Sequence, residues 1–425
     1  MRRARYPEMV SITQRLPALA HRDFRNFILG SFVSNVGGTV QMWAVAWHVY
    51  DLTHNTFMSG LVAGIRVIPL VIFSMVGGVF ADRYNRRTIL IITQSCLAVF
   101  ASLIALMTLS GHATAWSLIA LVTLSVIPMA FNNPARQAMM TGLVPKSDFP
   151  NAASVNGIQW RLSEVIGPSI TGLLIGLPVG PRLGLTFCYA FNAISFLALI
   201  YAVWLLPDKF NAEKRDKMTL PMMGDMIVEG LRFVWGKPIL RHTMTLDFWA
   251  TLLSGAEALL PAFAAMLKLG PEGYGFLASS TGVGAMIAAG VLALLPPVIR
   301  QGKWVLAMVV AYGLVTIGLG LSPNLWMAMF FLAATGAADM ISTVLRQTIR
   351  QLNTPDEVRG RMSATSMIFN MAGPRLGDFE AGAVASLIGL RAAIVSGGVG
   401  CLLIAGYFAW HARELRDYRH LVDAP

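Results

Sequence analysis

Charge is scarce in this chain. Asp, Glu, Lys and Arg make up 13% of 425 residues, 55% are hydrophobic, and the mean hydropathy is +0.61. That balance excludes an ordinary soluble domain, in which about a quarter of residues are charged. Cysteine is scarcer still: Cys96, Cys188 and Cys401 lie in apolar runs at no metal-ligand spacing, so neither a disulfide framework nor a metal site is expected. No G-x-x-x-x-G-K-[ST] phosphate loop occurs, which argues against an ATP-driven pump within the chain. The basic N-terminus "MRRARYPEMVSITQRLPALAHRDF" lacks an apolar core followed by a small-residue cleavage site, and no removable signal peptide is expected.

What is present is apolar sequence in runs long enough to cross a bilayer, which takes about 20 residues per helix. Twelve such runs recur, near residues 26–49, 56–80, 87–109, 115–136, 153–178, 183–206, 243–266, 274–297, 304–321, 325–345, 363–388 and 392–410. The expected class is an all-α membrane protein with twelve transmembrane helices. The net charge of +11 is distributed to one side of these spans: the outer loops carry only Arg182, Lys268 and Arg391 of the Lys and Arg. Basic loops mark the cytoplasmic face, so both termini are expected inside the cell membrane. A nucleic-acid surface is thereby disfavoured.

The longest polar segment, "PDKFNAEKRDKMTLPMMGDMIVEGLRFVWGKPILR", divides the chain into a cytoplasmic N-terminal segment (1–25), a six-helix half (26–206), a linker (207–242), a second six-helix half (243–410) and a tail (411–425). Within the linker Met223, Ile227, Leu231 and Val234 recur at helical spacing, with Asp225, Glu229 and Arg232 on another face, as in a helix lying on the inner membrane surface. Shifting residues 132–177 by 210 positions sets Arg136 and Gln137 on Arg346 and Gln347, Pro145 on Pro355, Gly167 on Gly377 and Gly172 on Gly382. Two repeated halves of like orientation account for this, and such repeats hold substrate between them near the bilayer midplane.

Residues 77–90, "GGVFADRYNRRTIL", resemble the signature loop of the major facilitator superfamily through Gly78, Asp82, Arg83, Arg86, Arg87 and Leu90. Asn85 stands where a second Gly is usual and suits a left-handed turn. The resemblance implies that Asp82 supports the packing of the halves, facing a helix start at "NTPDEVRGR", where Thr354 serves as cap and Pro355 lies in the first turn. Residues 163–176, "SEVIGPSITGLLIG", resemble the superfamily's antiporter motif through Gly167, Pro168 and Gly172. "HRDFRNFILGSFVSNVGGTVQMWAVAWHVYDLT", "NNPARQAMMTGLVP" and "LRQTIRQLNTPDEVRGRMSA" are similar to the branch that contains enterobactin exporters and macrolide efflux proteins. The implied protein is no enzyme. It is a secondary exporter of a siderophore or a hydrophobic drug, working by alternating access as a single chain, with no cofactor and the proton as coupling ion. A membrane sensor or scaffold that kept the fold without transport is the alternative.

An ionisable group at membrane depth costs roughly 3 kcal/mol on insertion scales, so each needs a partner or a cavity. Those inside the spans are Arg66, Arg161, Glu164, Asp247, Glu257, Asp339, Arg375, Asp378 and Glu380. At about 100° per residue, Arg375 with Asp378 and Arg161 with Glu164 are i, i+3 neighbours. Arg66 is expected to pair with Asp378 or Glu380 across the two halves when the outer side is closed, as a dynamic or a static bridge. Spans one, four, seven and ten line the cavity in this superfamily, which makes Asn35, Gln41, Asn132, Asn133, Asp247, Glu257 and Asp339 the cavity candidates. Asp339, with no Lys or Arg within five residues, is the first choice for the proton, Glu257 the second. Asp247 has Arg241 as an alternative partner. Trp43, Trp47, Phe248 and Trp249 are read as packing or interface residues ahead of substrate stacking.

Overall fold

The computed structural model describes residues 17–207, 220–296 and 298–419, and the described residues are helical with no strand. The ends next to the basic loops are called inner and the opposite ends outer. The first half comprises α1 (Arg22–Thr53), α2 in two pieces (Thr56–Gly64 and Val67–Arg83), α3 (Arg86–Ser110), α4 (Ala115–Gly142), α5 (Phe149–Ile175) and α6 (Pro181–Trp204). A linker helix (Leu220–Gly236) leads to α7, also in pieces (Pro238–Leu253, a 3-10 turn Glu257–Leu259, then Leu260–Met266). The second half continues with α8 (Pro271–Leu294), α9 (Gln301–Leu321), α10 (Leu325–Leu352), α11 (Asp356–Ile388) and α12 (Leu390–His411). Among the described residues, nine spans are apolar enough to cross a membrane by composition alone; α1, α5 and α11 are not. These three are the ones richest in small and polar residues, and they are placed by packing against the apolar helices around them.

The halves repeat one packing scheme. In the first, α3 packs on α6 and α4, α1 on α6 and α5, and α2 on α4; in the second, α9 packs on α12 and α10, α7 on α12 and α11, and α8 on α10. The main contacts between halves are α5 with α8 and α2 with α11, which exchange under the same repeat. Gly167 packs against Thr39 of α1, and Gly377, its partner in the repeat, against the Thr251 carbonyl of α7. Glycine lets these backbones approach where a side chain would hold them apart.

Local structure departs from expectation at several points. Asn85 is not left-handed: its φ is −58°, and its Oδ1 accepts from the backbone N–H of Arg87 at 2.9 Å and of Thr88 at 3.4 Å. It caps α3, satisfying donors that a helix start leaves free. Thr354 does not cap α11; its hydroxyl donates to the Arg350 carbonyl at the end of α10, at 2.6 Å, and Pro355 holds the N-cap position. The inner ends of α4, α7, α10 and α11 run one or two turns past the apolar runs, because polar residues continue a helix beyond the hydrocarbon. The linker helix is present and buries Val234 against Leu240, Met244 and Met362, with Trp235 beside Phe369 of α11, while Glu229 and Arg232 are exposed. The side chains of Met223, Asp225 and Ile227, and those of Asp82 and Arg83 with Gly78, lie outside the described residues. In the signature loop, Arg87 donates to the Trp204 carbonyl at the end of α6, at 2.7 Å.

At the inner end of the first half, His21 and Asp148 meet at 2.8 Å, and Asn151 accepts from the Ala18 N–H at 3.1 Å. The hydrogen bond from His21 holds the Asp148 carboxyl below the usual carboxylate range. A lowered folded value means the stabilisation is present above the unfolded value of about 3.9 and is lost as the pH falls through the folded one. Hydrogen exchange at residues 18–21 is therefore expected to accelerate only below about pH 4; acceleration already at pH 6 would sink this account.

Candidate functional site

The outer ends of the halves are zipped together by small residues. A Cβ on Gly172 of α5 would stand 2.8 Å from the Gly275 Cα of α8, and one on Gly382 of α11 would stand 2.9 Å from the Gly60 Cα of α2. Tyr274 of α8 donates to the Trp43 carbonyl at 2.9 Å, and its ring lies 5.0 Å from that of Trp47. Both tryptophans thus pack at the seal, and Trp43 also lines the cavity beneath it. Further in, Gly282 still meets Val165 and the Glu164 carbonyl, but Gly157 and Gly290, about two turns nearer the inner ends of the two helices, have nothing within 4 Å of a built Cβ. The α5–α8 contact is closed outside and open inside, and the Arg161–Glu164 pair sits where it parts. That pair forms as the spacing predicts, at 2.8 Å, with the Trp160 indole donating to the same carboxylate at 3.0 Å.

Below the outer seal lies a cavity of about 300 Å³ between α1, α2, α7 and α11, lined by Arg66, Glu257, Arg375 and Asp378 among others. It exists because α2 is broken at Ile65–Arg66 and α7 at Ser254–Ala256. Gly255 fits in the α7 break because Gly377 of α11 passes directly against it. The break leaves backbone N–H groups unpaired, and the Asp378 carboxylate accepts from that of Ala258 at 3.1 Å. The expected bridges of Arg66 to Asp378 or Glu380, and of Arg375 to Asp378, are therefore corrected: none is within 4 Å among the described residues, although the outer side is closed. Asp378 is committed to the start of the second piece of α7. The Arg66 Nε is buried with no hydrogen-bond partner, and Glu380 has no ion-pair partner among the described residues.

Nearer the inner side, α7 and α10 build a three-residue charge cluster. Arg346 lies 2.7 Å from Asp247 and 3.7 Å from Asp339, and donates to Ser342 at 2.9 Å and Thr343 at 3.0 Å. Asp339 also accepts from Thr343 at 3.3 Å. The arginine is 3% exposed, Asp247 14% and Asp339 49%. Asp247 thus pairs with Arg346 and not Arg241, and Asp339 does have a basic neighbour, two turns along its own helix. In the other half Arg136 of α4 donates to Asn35 Oδ1 of α1 at 2.6 Å, and Asn35 donates to Gln159 of α5 at 3.1 Å.

Two cavity candidates are corrected. Gln41 accepts from Asn192 of α6 at 2.7 Å, and Asn132 donates to Thr93 of α3 at 2.9 Å; both face neighbouring helices in their own half. Asn133 is half-buried. Arg136, Arg346 and Gln159 were missed. The available signal was the 210-residue repeat, which superposes the two arginines, but the end of the apolar run assigned Arg136 to a span edge and Arg346 to a loop. A larger cavity of about 690 Å³ lies between α2, α3 and α4, with Phe80, Ile92, Leu124 and Phe131 in its walls and no ionisable carboxylate or base. The ionisable chemistry sits in the central path.

The arrangement is a route between two repeated halves, sealed at one end, with charges placed along it. The description "Transmembrane secretion effector" fits a family model that matches residues 13–423. At the sequence level the chain is similar to the enterobactin exporter EntS of Escherichia coli O1:K1 / APEC, 26% identical over 400 residues covering 94% of each chain. The enterobactin exporter EntS of Shigella boydii serotype 4 (strain Sb227) is 27% identical over 401 residues, again 94% of each. Among solved structures, a bacterial homologue of the human lysosomal transporter Spinster shares the fold, with a TM-score of 0.72 at 15% identity over 93% of this chain and 97% of that one. The nucleoside transporter NupG does so with a TM-score of 0.64 at 14% identity, over 93% and 98%. The chain belongs to the transmembrane secretion effector family of the major facilitator superfamily, and is a multi-pass membrane transport protein of the exporter type rather than an enzyme.

Proposed function

We propose that this protein exports a siderophore across the cytoplasmic membrane by alternating access, driven by inward proton movement, with both termini in the cytoplasm and a single chain as the working unit. The enterobactin named for its relatives supports a catecholate siderophore as the substrate class. One observation carries the coupling: a single guanidinium, Arg346, is shared by two carboxylates. Within ion-pair reach the two acids share that one cation, the buried Arg350 lying a turn farther along α10, so the cluster suits one added proton. Asp247, close and nearly buried, stays the ion-pair partner. Asp339, farther away and half exposed, takes the proton. Protonation of Asp339 leaves Arg346 wholly to Asp247, which lets the α7–α10 wall move as the path changes sides. Two carboxylates on the 300 Å³ cavity, Glu257 and Asp378, favour a second reading, a cationic hydrophobic compound such as a macrolide.

The test is accumulation of siderophore and of macrolide in cells lacking the protein, then complemented, with and without a proton uncoupler. Complementation is expected to lower siderophore accumulation, the uncoupler to abolish that difference, and Asp339→Asn to make residual export indifferent to the uncoupler. Unchanged accumulation of every compound would favour a sensor or scaffold instead.

A further inference from the structure

The two halves carry an arginine at the same place in the repeat with opposite surroundings. Arg346 is held by Asp247 and Asp339, with the buried Arg350 one turn farther along α10, so carboxylates and guanidinium groups meet at its corner of the path. Arg136 occupies the matching place in the first half. Its Nη1 rests on the neutral amide of Asn35, which leads to Gln159 and then to Asn156 at 3.2 Å. No carboxylate lies within 4 Å of it among the described residues; its Nε, like that of Arg346, is buried with no partner. A cation withdrawn from water without a counter-ion is costly, and a row of amides does not neutralise it. The guanidinium is half-buried, about two turns from the inner end of α4, on the side where α5 and α8 have parted.

We propose that Arg136 is the anchor for an anionic oxygen group of the transported molecule, a carboxylate or catecholate, received from the inner side, with Asn35 and Gln159 as its positioning residues. The ligand supplies the charge that Asp247 supplies to Arg346. A planar guanidinium offers two parallel donors to such a group, which a point-charge ammonium does not. The two walls of the path thereby divide the work: substrate anion on the first half, coupling proton on the second. This deepens the export reading and rests on it only for the identity of the substrate.

The experiment measures binding of 2,3-dihydroxybenzoate, and of tetraphenylphosphonium as a cationic control, to the full-length protein in nanodiscs by isothermal titration calorimetry. Arg136→Gln is expected to weaken dihydroxybenzoate at least ten-fold, Arg136→Lys to restore part of that loss, and the cation to bind each alike. Asn35→Asp supplies Arg136 with an internal carboxylate and is expected to weaken the anion equally without lowering thermal stability, which covers the case in which Arg136→Gln fails to fold. Unchanged anion affinity in Arg136→Gln or Asn35→Asp, equal losses for both probes, or no binding to the unmodified protein would overturn the assignment. Wild-type anion binding that Asn35→Asp abolishes, in a protein that exports no siderophore, would remove the export reading and leave Arg136 as an anion site. Siderophore export that neither variant alters would do the reverse.

Discussion

Replacing Asp247 by Asn is expected to destabilise the folded protein by about 3 kcal/mol and to abolish export. Removing one partner of a buried ion pair strands the other, and such losses run about 3–5 kcal/mol. The lower end applies because Asp339, 3.7 Å from Arg346, is placed to take over part of the charge. Arg346→Gln alone strands two carboxylates instead of one cation. The double variant Asp247→Asn with Arg346→Gln removes both members of the buried pair and leaves only the half-exposed Asp339 without its cation, so it is expected to recover most of the stability and none of the transport. Thermal unfolding followed by a thiol-reactive dye in a Cys96→Ser background reads this directly, because the remaining Cys188 and Cys401 are buried in the native protein. A double variant no more stable than Asp247→Asn would show that Arg346 and Asp247 do not form the energetic unit their 2.7 Å separation implies.

That pair was not legible in the sequence, and the reason is instructive. The twelve helices were legible because a bilayer demands long apolar runs and basic loops demand a side. The repeat was legible because the same small residues do the same steric task in both halves, as at Gly167 and Gly377. Hydropathy, however, marks where hydrocarbon ends and not where a helix ends, so Arg136 falls at a span edge and Arg346 in a loop although α4 and α10 carry both inside. Local spacing had limits too. It found Arg161 with Glu164, whose helix is unbroken between them. It failed for Arg375 with Asp378, because a different helix offers Asp378 a free backbone N–H. Nothing in an apolar run announces that α7 breaks at Ser254–Ala256, since the donors exposed by the break are satisfied by a carboxylate about 120 residues away in sequence. Asn85 shows the same limit on a small scale: a cap and a left-handed turn favour the same residue, and only φ separates them.

The glycine face of α5 yields the second large effect. Gly172→Leu is expected to force the protein towards an outward-open form and to cut export by at least ten-fold. A Cβ there would already stand 2.8 Å from the Gly275 Cα and 2.9 Å from the Pro271 carbonyl oxygen, both backbone atoms that no rotamer change can move aside. Overpacking costs about 1–3 kcal/mol, and a cost borne only when the outer side is closed shifts the balance of states about five-fold to more than a hundred-fold. The readout is Ala63→Cys, in the wall of the 300 Å³ cavity, combined with Cys96→Ser to remove the exposed native thiol. In the Gly172→Leu background an impermeant thiol reagent added outside is expected to label this cysteine at least ten-fold faster. Gly157→Leu supplies the opposite case. Nothing lies within 4 Å of a Cβ at Gly157 in this inward-open arrangement, so the leucine is accommodated here and obstructs only closure of the inner side. It is expected to slow labelling from outside while also lowering export. Two glycines about four turns apart on one helix would then bias the same equilibrium in opposite directions, as required if α5 and α8 close at one end only by opening at the other. Equal labelling rates in the two variants would mean that this helix pair does not set which side is open.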